Sequence, residues 1–171
     1  MGRLILAMLV LVPVGLAYGD DAESDSLIRL TVNDFMLALQ AGDGPVSSEM
    51  FSNQAMDQVE VMLVSIKQSL DRDPEAVLRR LNSAGYSIEL VVAEDWETRE
   101  YLSATLSLPM IVARYALYEL EIVSVAVDGR NAVVDMIFST ATGVEIPQQA
   151  VMTYEDGNWK VTNFMGITAF P

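Results

Sequence analysis

The sequence predicts an α+β domain: helices in the N-terminal two-thirds, then an antiparallel sheet of at least four strands. Two observations in the C-terminal third carry most of this. Alternating apolar and polar runs meet at Asp156-Gly157, a dipeptide that suits the positive φ angles of a tight hairpin. Pairing across that turn sets Tyr154 opposite Trp159, Thr153 opposite Lys160, Met152 opposite Val161 and Val151 opposite Thr162, which makes one face apolar and the other mostly polar. A second pair of alternating runs meets at Asp128-Gly129. Upstream, apolar residues recur instead at helical spacing, as in Ile28, Val32, Phe35 and Leu39.

Composition narrows the chemistry. The chain has 171 residues, 51% of them hydrophobic, enough for one domain with a real core. Its formal net charge is -14, spread along the chain, and Arg79-Arg80 is the one adjacent basic pair. Such a surface repels nucleic acid and anionic membranes, so no nucleic-acid role is expected. There is no Cys and no His. Disulfides, thiolate nucleophiles and zinc–thiolate sites are excluded, and the commonest general base is missing. Any acid–base chemistry must use Asp, Glu, Lys or Tyr. No cofactor or metal site is expected.

In chain order, residues 1–19 read as a secretory signal peptide. Arg3 gives a positive start, 4–17 is apolar but short for a membrane span, and Ala17-Tyr18-Gly19 places small residues before Asp20. Cleavage after Ala17 is the alternative, and an uncleaved anchor is the bland reading. The mature protein is then expected outside the cytoplasm, with no stable membrane insertion. Residues 20–25 read as a disordered acidic leader, and 26–171 as a single domain.

The first helix is expected over 26–41, capped by Ser24 or Asp25 and ended by Gly42. Gly42-Asp43-Gly44-Pro45 reads as a loop. A second helix is expected from about 47 or 52 to 70, with Met56, Val59, Leu63, Ile66 and Leu70 as its buried stripe. Asp73-Pro74-Glu75 is a helix start, with a cap, a proline in the first turn and an acid at the positive end, and Gly85 is the stop. Residues 88–92 fit either a short strand or a helical turn. Residues 95–108 read as helix, offering Trp96, Tyr101, Leu102 and Leu106 for packing, and Pro109 is expected to break it. Four strands follow over 115–127, 131–140, 145–155 and 158–165. Across the first turn Val123, Val125 and Val127 are expected to share a face with Ala132, Val134, Met136 and Phe138. The other face then carries Ile122, Ser124, Ala126, Val133, Asp135 and Ile137.

Two stretches resemble the nuclear transport factor 2-like superfamily: 32–43, with its Ala41-Gly42-Asp43 helix exit, and 151–161, the terminal hairpin. The resemblance implies a strongly curved, cone-like sheet wrapped over the helices and enclosing an apolar pocket. Its lining would include Phe35, Met136, Phe138, Met152, Tyr154 and Trp159. That superfamily spans isomerases, dehydratases, cyclases, transport adaptors and secreted domains without known activity, so fold does not give function. Its steroid isomerase branch pairs a carboxylate base with a Tyr and an acid, and the first helix here has Phe35 and no Tyr. Its dehydratase branch relies on His, which this chain lacks.

Three functions remain open. The first is a secreted, non-catalytic domain holding a small apolar ligand in the cone. The second is a carboxylate-dependent isomerase or cyclase using Glu119 or Glu121, which alternation places on the face of Val123 and Val125. Set against it, these side chains lie in water or are turned outward by a bulge. The third is an interaction module using the other sheet face, where Ile122, Val133, Asp135 and Ile137 would form a homodimer interface.

Overall fold

The computed structural model describes residues 21–164. The expected signal peptide, its cleavage site and Met165 lie outside the described residues. Among these, seven helices precede four strands: α1 (Asp21–Ala41), α2 (Gly44–Glu49), α3 (Asn53–Leu70), α4 (Pro74–Ser83), α5 (Leu90–Asp95), α6 (Thr98–Leu106), α7 (Pro109–Tyr115), β1 (Tyr118–Asp128), β2 (Asn131–Thr140), β3 (Glu145–Glu155) and β4 (Asn158–Phe164). The sheet is an antiparallel meander in the order β1-β2-β3-β4. The architecture is thus α+β, with helices packed on one face of a curved four-stranded sheet. No described helix is long and apolar enough to cross a membrane.

Several boundaries differ from the sequence reading, each for a local reason. α1 starts at Asp21, so residues 21–25 are helical and not a disordered leader. Acidic side chains at the positive end of a helix are favourable, and Asp25 also bonds the Arg29 Nε one turn on, at 2.8 Å. The helix ends at Gly42, whose φ of +69° lets Asp43 N donate back to the Ala38 carbonyl. Gly44 is the first residue of α2 and not part of a loop, with Asp43 capping it through Val46 N.

Of the two starts expected for the second helix, 52 holds: α3 runs from Asn53 to Leu70, and residues near 47 belong to the separate helix α2. Between them, Met50–Ser52 leaves helical geometry to pair with β4. Ser52 N donates to the Val161 carbonyl and Val161 N to the Met50 carbonyl, at 2.9 and 2.8 Å. Ser52 then caps α3 through Ala55 N. Asp73 caps α4 as its sequence announces. The ambiguous stretch at 88–92 resolves into helix α5. Pro109 starts a helix rather than only ending one, since proline suits the first helical position. α7 therefore takes Tyr115, the expected first residue of the first strand, and β1 starts at Tyr118.

β2 and β3 have the expected bounds. The first tight turn is Gly129-Arg130, one residue beyond the expected Asp128-Gly129, because Asp128 still pairs with Asn131; the second is Asp156-Gly157 as expected, with positive φ at both positions (51° and 82°), as a type I′ hairpin requires. Two bulges break the simple alternation. In β1 the ladder runs Ser124↔Asp135 and then Ile122↔Met136, so Val123 is extruded. In β4 it runs Met152↔Val161 and then Val151↔Asn163, so Thr162 is the extra residue and the expected Val151–Thr162 pairing fails. Because side chains alternate with a period of two, one extra residue exchanges faces for everything beyond it. Ile122, expected on the outer face, therefore packs against the helices, whereas Val123 is 53% exposed.

Both sheet edges are partly covered. The Met50–Ser52 segment pairs with β4. On the β1 side, α1 supplies side-chain donors: Arg29 Nη1 to the Ile122 carbonyl (3.0 Å), and Gln40 Nε2 to the carbonyls of Tyr115 and Tyr118 (3.2 and 2.9 Å). Strands finished in this way offer little template for edge pairing.

Candidate functional site

The outer face of the sheet carries a depression of about 750 Å3, lined by Val123, Asp135, Ile137, Pro147, Gln149 and Asn163 among others. Asp135 sits mid-strand in β2. Neighbours on both sides bond it: Ser124 Oγ donates to Oδ2 at 2.7 Å, and Gln149 Nε2 to Oδ1 at 2.8 Å. Both residues are its cross-strand partners in the ladder. These bonds, Ser124 first and Gln149 second, hold the carboxyl below its ordinary range, so it stays ionised. Around it stand Val123, Val133 (38% exposed) and half-buried Ile137 and Val151. The face thus combines a fixed carboxylate with apolar side chains that nothing in the described chain covers.

The opposite face looks different. Phe35, Met136, Phe138 and Met152, expected to line a cone pocket, are fully or almost fully buried. Phe35 meets Phe51 and Phe164 edge-on, with centroids 5.2 and 4.9 Å apart, and Phe138 meets Phe164 at 6.0 Å. Edge-to-face contacts of this kind are favourable core packing. Trp159 is buried and half-buried Tyr154 stands against it at 5.4 Å. The six side chains named from sequence do lie on one face of the sheet or against it, and they are packed on one another and on the helices.

Glu119 and Glu121 are exposed on the outer face. They precede the Val123 bulge, and the extra residue places them opposite to Val125 and Val127. The two carboxylates therefore stand in water, away from the apolar interior.

No family model matches the chain, and no curated protein matches it. A solved structure from Campylobacter jejuni, provisionally described as an NTF2-like transpeptidase, is similar at 16% identity, covering 52% of this chain and 96% of that one with a TM-score of 0.33. A likeness at that level is too slight to carry a family or an activity over to this chain.

Two parts of the outer site escaped the sequence reading. Ser124 was expected on the face of Asp135, but it lies directly opposite only because the turn falls on Gly129-Arg130, one residue beyond the expected Asp128-Gly129. Gln149 was not expected there, because the loop at 141–144 leaves the β2–β3 register open until Asp135↔Gln149 is observed. Pro147 on β3 and the extruded Val123 complete the rim.

Proposed function

We propose that this chain is an extracytoplasmic, non-catalytic binding domain of the nuclear transport factor 2-like kind, acting through the outer face of its sheet, with a second copy of itself as partner. The observation that carries the reading is the contrast between the faces. Interlocked rings fill the helix side, and a small apolar ligand in the cone would have to displace them. The outer side offers a depression of about 750 Å3 with uncovered valines and an isoleucine around Asp135. Exposed apolar patches of a few hundred Å2 on a soluble domain are typically sites of association.

Three features support a second copy. Both sheet edges are partly covered, which favours face-on stacking over edge pairing. Glu119, Glu121 and Glu145 cluster at one end of the outer face, across the pairs Glu119↔Ser139↔Glu145. The only two cations of residues 118–164, Arg130 and Lys160, lie at the other end, alongside Asp128, Glu155 and Asp156. Stacking two sheets about a two-fold axis that runs across the strands brings the acidic end of each over the end that holds Arg130 and Lys160. Export is supported by Arg3, the apolar run at 4–17 and the small residues before Asp20.

Sedimentation at low and high salt tests the partner. We expect a weak dimer that tightens with salt, since the net charge of -14 opposes association until screened. Ile137→Lys should abolish it. A monomer under both conditions, with Ile137→Lys leaving solubility unchanged, removes the proposal. N-terminal sequencing of the exported protein should begin at Asp20, or at Tyr18 as the second choice; an intact Met1 on a membrane-bound product would overturn the export reading.

A further inference from the structure

The basic residues of this acidic chain are unevenly placed. Lys67, Arg72, Arg79 and Arg80 account for four of its ten Lys and Arg residues. All four lie on the α3–α4 helix pair or in the turn between them. Arg79 is paired with Glu75 at 3.5 Å. The Arg80 guanidinium makes no ion pair or hydrogen bond among the described residues, and Arg80 lines a cleft of about 360 Å3 between these two helices. Ile66, Val77 and Leu81 form the apolar walls of the cleft, and Tyr86 and Tyr101 are also part of its lining.

This cleft is pre-formed. The Tyr86 and Tyr101 rings are stacked 13° from parallel with centroids 6.2 Å apart, and Trp96 braces both, at 5.5 and 5.4 Å. Tyr86 Oη shares a 2.8 Å hydrogen bond with Thr105 Oγ1, which itself donates to the Tyr101 carbonyl. Burial, above all, raises the Tyr86 pKa, so its hydroxyl keeps its proton. The segment carrying Tyr86 is clamped by Asn82, whose side-chain amide receives from Ile88 N at 2.8 Å and donates to its carbonyl at 3.2 Å. That clamp spans the positive φ angles of Gly85 and Ser87.

An apolar slot with stacked aromatic rings and one uncommitted guanidinium suits a flat apolar body carrying one negative charge. We propose that the α3–α4 cleft binds a small aromatic monoanion, its ring system between Ile66 and the tyrosines and its acid group on Arg80. This site is separate from the outer sheet face and stands or falls independently of it.

The test is titration of the protein with 2-naphthoate, followed by amide chemical shifts. Saturable shifts are expected at Ile66, Ser69, Arg80, Tyr86 and Tyr101, with Val133 and Ile137 unmoved. The neutral analogue 2-naphthylmethanol should bind about tenfold more weakly. Arg80→Gln should weaken naphthoate about tenfold and leave the alcohol unchanged. Arg72→Gln, which removes a nearby cation outside the cleft, should leave naphthoate binding nearly intact. Arg80 is exposed, so its variant should melt with the parent. Absence of shifts at millimolar naphthoate, shifts centred on the outer sheet face, equal binding of acid and alcohol, or equal losses in the two arginine variants would each overturn the proposal.

Discussion

Ser124 donates a 2.7 Å hydrogen bond to Asp135 across the β1–β2 pair, and the ladder slips by one residue immediately beyond that pair. The bond fixes the carboxylate at the centre of the outer face, and the slip turns Val123 out beside it. Asp135 is therefore a built feature of this face.

Its titration should be visible in stability. Hydrogen bonds lower the folded-state pKa of Asp135, whereas the unfolded carboxyl keeps a value of about 3.9. A depressed pKa contributes stability that is fully present above the unfolded value and is lost as pH falls through the folded one. Asp135→Asn should thus be less stable than the parent at pH 7, and the gap should narrow below about pH 4. Urea melts of both proteins at pH 7 and pH 3 check this; a gap of constant size would show that the hydrogen bonds do not favour the charged form.

Trp159→Ala should cost about 3–5 kcal/mol, because a large buried aromatic leaves a cavity behind it. Lys160→Ala, one residue on and facing out, loses only an exposed hydrogen bond to the Glu49 carbonyl and should cost under about 1 kcal/mol. Similar losses in denaturant melts would mean that the strand faces are misassigned.

Ser52→Ala should cost about 1–2 kcal/mol. The buried Ser52 hydroxyl caps α3 through Ala55 N and also accepts from Thr162 Oγ1 at 3.0 Å. Combined with Thr162→Val, the loss should fall short of the sum of the single losses by about 0.5 kcal/mol or more, since the variants share one bond. Strict additivity would show that the two hydroxyls are not coupled.

Gly44→Ala should be among the most damaging single changes, at about 3 kcal/mol. A Cβ there would collide with the Ser103 carbonyl oxygen and the Ser107 hydroxyl on the neighbouring helix α6 and its end. Gly129→Ala meets no neighbour, and its cost should come only from its φ of +58°. Comparing the melting temperatures of the two variants separates steric from conformational loss.

Legibility followed the range of the interactions. Helix caps at Ser52 and Asp73, the Asp156-Gly157 turn and the buried stripe of α1 depend on neighbours a few residues away, and the sequence displays them. The choice between helix starts at 47 and 52 stayed open because β4, which pairs with Met50–Ser52, lies far along the chain. The face of Ile122 was misread because a bulge has no local signature in Ile122-Val123-Ser124. The role of Gly44 was hidden because α6, which it must approach, is remote in sequence. In the candidate site, Asp135 was readable as a mid-strand acid, whereas its Gln149 partner depended on a loop whose geometry the sequence leaves open.

The bridge between Met50–Ser52 and β4 also sets an order of events. Ser52 and Thr162 are 110 positions apart. At synthesis rates of roughly 5–20 residues per second, the partner of this junction emerges about 5–20 s after it. During that interval the N-terminal helices exist without the strand that closes them, while the hairpins of the meander, whose contacts are local, assemble as soon as they are made. The last hairpin is therefore the latch of the whole domain, and a nascent chain halted before Val161 should remain open however long it waits.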